Sequence, residues 1–125
     1  MPVVRNADTE PLASVAALVR DLGERARAGQ LRPGDLAAGT ATISNLGAHG
    51  IEAFTPILNP PQSVVLGIGR IAPRPIVRDG QVAVGQTCVL SLTFDHRVAD
   101  GAPGAQLLDT IAHRILDDRY LMALA

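Results

Sequence analysis

Lysine and tryptophan are absent from this sequence, cysteine occurs once, and aromatic residues make up 2% of it. Without Trp, and with so few Phe and Tyr, a core has to be built from Ala, Val, Leu and Ile. The lone Cys88 cannot close an intramolecular disulfide, so nothing points to an oxidising compartment. Its expected role is a small strand hydrophobe. All 11 basic residues are Arg and stand against 12 acidic ones, for a net charge of -1. With no basic block, the chain lacks an electrostatic footprint for nucleic acid or anionic membrane. No apolar run reaches the roughly 18 residues of a membrane span, and MPVVRNAD has no basic stretch followed by an apolar one. The sequence therefore reads as soluble and unexported. What is present is a 47% hydrophobic content over 125 residues, enough to exclude disorder and to predict one compact domain with a modest core.

After a short extended start, PVVRNAD, Thr9 is placed to cap a helix running to about Ala28, with Gly29 as its stop. Leu12, Val15, Ala16, Val19, Leu22 and Ala26 recur at three- and four-residue spacing and predict a packed face. LRPGDLAAG reads as a turn or short helical segment, and TATISNL as a strand ended by GAHG. NPPQSVVLGIGRI begins with a rigid Pro-Pro step and becomes a continuous apolar strand, a pattern that predicts burial on both faces. Asp79-Gly80 between RPIV and QVAV is a hairpin signal. QTCVLSLTF alternates as a single strand, with Cys88, Leu90, Leu92 and Phe94 on one face. The spacing of Leu107, Leu108, Ile111 and Ile115 predicts a last helix over about 102–117. Helix, several strands, then helix argue for an α+β fold, a mixed sheet with helices packed on one face.

SLTFDHRVADGAP places His96 where a strand gives way to a loop, a position at which scaffolds present reactive side chains. Imidazole, with a reference pKa near 6.5, can take up a proton at neutral pH, so His96 is a candidate general base. A strand-end histidine bonded to backbone is the plainer alternative. Asp100, four residues on, can orient the loop or pair with an Arg. Ser44 in TISNLG reads as a polar member of an alternating strand, and Asn45 as a turn residue. His49 is expected to be a solvated loop histidine and His113 a structural one. The three histidines, one cysteine and scattered carboxylates form no metal-site spacing. The glycines of GIGR sit inside a strand and open no helix, which argues against a dinucleotide or phosphate cradle.

Taken in order, TATISNLGAHGIEAFTPILNPPQSVVLGIGRI, the Asp-Gly hairpin and LSLTFDHRVADGAP resemble the catalytic core of the dihydrolipoyl acyltransferases of 2-oxoacid dehydrogenase complexes. The HxxxDG signature also resembles chloramphenicol acetyltransferase. The resemblance covers nearly the whole chain and implies a chloramphenicol acetyltransferase-like fold. The implied activity is transfer of an acyl group between a dihydrolipoyl thiol and coenzyme A, with both as substrates and no metal. His96 matches the family's catalytic histidine, which takes the proton of the attacking thiol. Ser44 matches the strand serine that stabilises the oxyanion, and Asp100 matches the acidic position of the motif, where it holds the His loop. The family's reactive channel lies between subunits of a trimer, the His of one chain facing the Ser of the next. A homotrimer, and a larger core of twenty-four or sixty subunits, are the assemblies implied, with RYLMALA as a docking tail.

The family's catalytic domain is considerably longer than this sequence, so residues 1–125 are expected to be its C-terminal portion. A lipoyl domain with its attachment site, and the module that recruits the 2-oxoacid dehydrogenase and dihydrolipoamide dehydrogenase, are not among these residues. Neither the acyl group, acetyl, succinyl or branched-chain, nor the core symmetry is legible. A bacterial cytoplasmic location is the expectation. The alternative to an enzyme is a non-catalytic oligomerising module or remnant of the core.

Overall fold

The computed structural model describes residues 1–124. The chain separates into two units, one formed by Met1–Gly39 with the segment from His113 onward, the other by Thr40–Ala112.

In the first unit, helix α1 spans Leu12–Arg27. Its N-cap is Pro11 and no side chain caps it. Thr9 is spent locally instead, its amide and hydroxyl both donating to the Asn6 carbonyl. Gly29 ends the helix as predicted, at φ +68° in the left-handed region where L side chains are strained. The extended start gives way to turns from Arg5. PGDL forms a 3₁₀ turn over Pro33–Leu36. Arg25 ties that turn to α1, pairing with Asp35 at 2.5 Å and with Asp21 one turn back at 2.9 Å. The Arg25 guanidinium, helped by the Arg32 amide, lowers the pKa of Asp35. The chain ends in helix α3, Asp118–Ala123, capped by the Asp117 carboxylate. The Leu124 carbonyl accepts from the Leu12 amide.

The second unit holds all the strands. β1 (Ala41–Asn45), β2 (Val64–Ile68) and β5 (Leu90–Phe94) form one sheet in the order β1-β2-β5. β1 runs parallel to β2, and β5 antiparallel to it. The mixed sheet of the sequence reading is therefore present, and GAHG closes β1 in a 3₁₀ turn over Gly47–His49. β3 (Ala72–Arg78) and β4 (Gln81–Thr87) make a separate antiparallel hairpin. Its turn, Asp79-Gly80, has φ of 53° and 77°, the doubly positive geometry that matches strand twist and favours Asp-Gly. QTCVLSLTF is not one strand. It breaks at Cys88-Val89 into the end of β4 and the whole of β5, and Cys88 is exposed at the break. Alternation alone cannot reveal such a break, because side-chain period survives a change of partner strand.

Helix α2 spans Gly101–Ile115. It lies on β5 through Gly104, where a Cβ would sit 2.2 Å from the Phe94 ring. Among the described residues the buried hydrophobic set is Leu22 and Val65 alone. The expected core is correspondingly thin. On α1, Leu12 and Val19 of the predicted packed face are exposed. On β2, Val65 is 2% exposed while Leu66 is only half-buried, so one face is closed rather than two. The accessible surface is 9231 Å² for 13.0 kDa. A folded monomer of that mass exposes about 6,300 Å², and two separate folded bodies of the units' sizes about 7,600 Å². The exposed large hydrophobics include Ile43, Ile57 and Ile71.

Candidate functional site

Register fixes where the candidate residues stand in the second unit. Ser44 pairs with Gly67 of β2, and Gly67 with Ser91 of β5, so the three share a row and a face. Gly67 permits that face to be covered: a Cβ there would meet Phe54 at 3.0 Å and Pro56 at 3.3 Å. The covering segment is tied down by Thr93, whose hydroxyl donates to the Pro56 carbonyl at 2.7 Å. Thr42, two residues before Ser44, hydrogen-bonds Gln62 on the same face. Ser44 is therefore half-buried at the closed side of the sheet. At the end of β1, Asn45 turns the chain by accepting the Gly47 amide at 2.9 Å, the turn role its sequence suggests. An open cavity of about 270 Å³ lies there, lined by Asn45, Gly47, Ala48, Ile68, Arg70 and neighbours. Arg70 is paired with Glu52 at 2.8 Å.

His96 stands at the other end. It stands two residues past Phe94, the last residue of β5, and strands rise about 3.3 Å per residue with about 4.8 Å between neighbours. From the row of Ser44 to Phe94 is already about 10 Å along the strands, with about 10 Å more across them. One copy of the chain does not bring them together. Asp100, by contrast, is local: its Oδ1 lies 3.5 Å from His96 Nδ1, with the two side chains 86% and 74% exposed. The distance is long for a hydrogen bond, so the contact is a loose one. The Phe94 ring lies 6.1 Å from the imidazole, tilted by 31°. His49 is exposed in its 3₁₀ turn, and His113 lies on α2.

The tight contact of the His96 loop belongs to a residue the sequence reading did not single out. The Asp95 carboxylate accepts the Arg97 amide at 2.9 Å and the Arg97 guanidinium at 2.6–3.1 Å through both oxygens. Hydrogen bonding from the Arg97 side chain, then from its amide, lowers the pKa of Asp95 to about 2. The same bonds raise that of Arg97. The signal available in sequence was the DHR order itself, an acid and a base flanking the candidate catalytic residue. No group of three or more His, Cys, Asp or Glu able to hold a metal occurs among the described residues. No helix among them is long and apolar enough to cross a membrane.

Residues 1–124 match the family model for the 2-oxoacid dehydrogenases acyltransferase catalytic domain. The chain belongs to this family. The dihydrolipoyllysine-residue acetyltransferase component of the pyruvate dehydrogenase complex of Bacillus subtilis is 41% identical over 98% of this acyltransferase-family chain, which covers 27% of that protein. Among solved structures, the dihydrolipoamide acetyltransferase of Azotobacter vinelandii superimposes with a TM-score of 0.89 at 37% identity, over 97% of this chain and 50% of that one. That structure addresses a serine, a histidine and an asparagine in the catalytic mechanism of the Azotobacter enzyme. The cubic core of the pyruvate dehydrogenase multienzyme complex gives a TM-score of 0.89 at 36% identity with the same coverage. This chain thus spans about half the length of the solved structures it matches and about a quarter of the curated relatives.

Proposed function

We propose that this chain is part of a dihydrolipoyllysine-residue acyltransferase, moving an acetyl group between coenzyme A and a dihydrolipoyl thiol in the bacterial cytoplasm. What supports the residue roles above all is a shared spacing. In the Azotobacter enzyme the histidine follows the serine by fifty-two positions and the asparagine follows the histidine by four. His96 follows Ser44 by fifty-two, and Asp100 follows His96 by four. The aspartate in place of the asparagine has an oxygen 3.5 Å from His96 Nδ1.

In this reading the thiol, with a pKa of about 8.5, is mostly protonated at neutral pH and needs a base. His96 takes its proton through Nε2, and the sulfur attacks the thioester carbonyl. The Ser44 hydroxyl donates to the resulting oxyanion. Collapse of the intermediate breaks the carbon–sulfur bond of the donor, and the departing thiolate regains the proton from His96. Asp100 sits by the imidazolium that forms in between. Because His96 and Ser44 lie at opposite ends of one sheet, the site needs His96 from one copy and Ser44 from another, as in a trimer. The exposed apolar surface is what such an assembly, and the rest of the catalytic domain, would cover. Residues 1–125 are, in this reading, one portion of that domain. The lipoyl domain is the substrate carrier, the partner dehydrogenases join through other modules, and a cubic or dodecahedral core is the larger assembly.

Acetyl transfer from acetyl-CoA to dihydrolipoamide tests the proposal. His96→Ala is expected to slow it by about 10² to 10⁴, and Ser44→Ala by about 10² to 10³. Mixing the two inactive variants should restore about a quarter of the sites by random assembly, since some then pair an intact His96 with an intact Ser44. Transfer that survives His96→Ala would sink the base assignment, and no recovery on mixing would sink the shared site. A folded, oligomeric chain without any transfer would favour the second reading, a non-catalytic assembly module, which the short span and exposed apolar surface support.

A further inference from the structure

The loop carrying His96 has two acidic neighbours, and they hold it very differently. Asp100 approaches the imidazole at 3.5 Å from an exposed position. Asp95 is 20% exposed, and Arg97 is 89% exposed. Every polar group of Asp95 is engaged. Its amide donates to the Ser63 carbonyl at 2.8 Å, continuing the β2–β5 ladder one step past Phe94. Its carbonyl accepts the Val98 amide at 2.9 Å and the Ala99 amide at 3.3 Å. Its Oδ1 accepts the Arg97 amide at 2.9 Å, and both carboxylate oxygens take the guanidinium fork. His96 is the residue enclosed by these bonds. Its backbone is spanned from 95 to 97 by the side chain and from 95 to 98 by the main chain.

We propose that Asp95 is the positioning residue of the His96 site, fixing the backbone from which the imidazole projects, while Asp100 contacts the ring without setting that backbone. The inference rests on the catalytic reading of His96. An exposed ion pair alone would contribute little. The function of this one comes from geometry: the carboxylate first satisfies a backbone amide in a side-chain turn, and Arg97 then locks the carboxylate in place through two parallel bonds. Misplacing a general base by an ångström can cost a factor of about 10², so the loop's backbone bonds bear directly on rate.

The test uses Asp95→Ala, which removes cap and fork, Asp95→Asn, which retains an oxygen for the Arg97 amide, and Arg97→Ala, which removes the fork alone. Two readouts are paired. Amide hydrogen exchange in the 125-residue chain reads the loop, and steady-state acetyl transfer with both substrates varied reads the site. In Asp95→Ala the amides of Arg97, Val98 and Ala99 should lose protection while those of β2 and β5 keep it. Its kcat should fall by about 10- to 100-fold, with KM for acetyl-CoA within about two-fold because no substrate contact is removed. Asp95→Asn should recover most of both, and Arg97→Ala should fall between them. Unchanged exchange in Asp95→Ala would overturn the inference, as would lost protection with unchanged kcat. His96→Ala serves as the separate control: if it leaves transfer intact, or if transfer is absent altogether, the functional reading falls and the exchange result alone decides whether Asp95 holds the turn.

Discussion

The second unit contains two antiparallel ladders written in nearly the same residues, and they end in opposite environments. In β2–β5, Val65 faces Thr93 and Leu66 faces Leu92. β1 pairs along the other edge of β2, the segment carrying Phe54 and Pro56 closes one face, and α2 lies against Phe94. In β3–β4, Val77 faces Val82 and Pro75 faces Val84, and the valines on that face are 74%, 78% and 80% exposed. Both ladders alternate, and both are β-branched. Alternation sets which residues share a face, whereas burial of that face depends on another element arriving to cover it. The hairpin manages its open edge by composition. Counting from the two-residue turn, Pro73 and Pro75 fall at positions whose nitrogens face away from β4, so the missing donors cost no ladder bonds and blunt the edge.

The sharpest way to break this contrast is Gly69→Ala, just past β2. A Cβ there would lie 1.9 Å from the Glu52 carbonyl oxygen, and backbone cannot yield as a side-chain tip can. A loss of about 3 kcal/mol is expected by chemical denaturation, and a wild-type midpoint would mean that the segment over the sheet is loosely held. Val65→Ala comes next, at about 2 kcal/mol for two buried methyl groups and the space they leave. In the hairpin, Gly80→Ala should cost about 1 kcal/mol, from the left-handed conformation at φ 77° rather than from contact. Val84→Thr should stay within about 0.5 kcal/mol in the isolated chain. A larger loss there would mean that the outer hairpin face is covered in solution, and comparison across protein concentrations would tell whether another copy covers it.

The smallest effect, and one that fades on acidification, concerns Asp95, the residue after β5. Its folded pKa of about 2 lies below the ordinary aspartate value of 3.8. Its contribution is therefore complete above about pH 5 and is lost as pH falls through 3.8 toward 2. Thermal melts of wild type and Asp95→Asn should converge over that window, while a constant gap would mean that the Arg97 pairing contributes nothing to folding.

Much of the local structure was legible because its causes are local. Gly29 and Gly80 stand where the backbone adopts positive φ, and Asn45 supplies its own turn. Pro33 opens the 3₁₀ turn where a turn or short helical segment was expected, and the leucines of 107–115 fall on the predicted helix. The errors arose where more than one partner is on offer. Thr9 offered a cap but bonds Asn6, and α1 starts after Pro11. The alternating run through Cys88 spans two sheets, since nothing in a period-two pattern records a change of neighbour. The candidate site divides the same way. His96, Asp100 and Ser44 could be named from motif order, but Asp95 was passed over because its significance is a set of bonds to Ser63, Arg97, Val98 and Ala99.

By itself, then, the sequence determined the family, the element types, the hairpin turn and which side chains are the candidates for the site, because propensity, turn chemistry and motif spacing are properties of neighbouring residues. Only the tertiary structure decided that Ser44 and His96 stand at opposite ends of one sheet, and that the β2–β5 ladder is covered while the hairpin is open. Those outcomes depend on strand order, register and what packs on each face, and these are set by contacts between residues far apart in the chain.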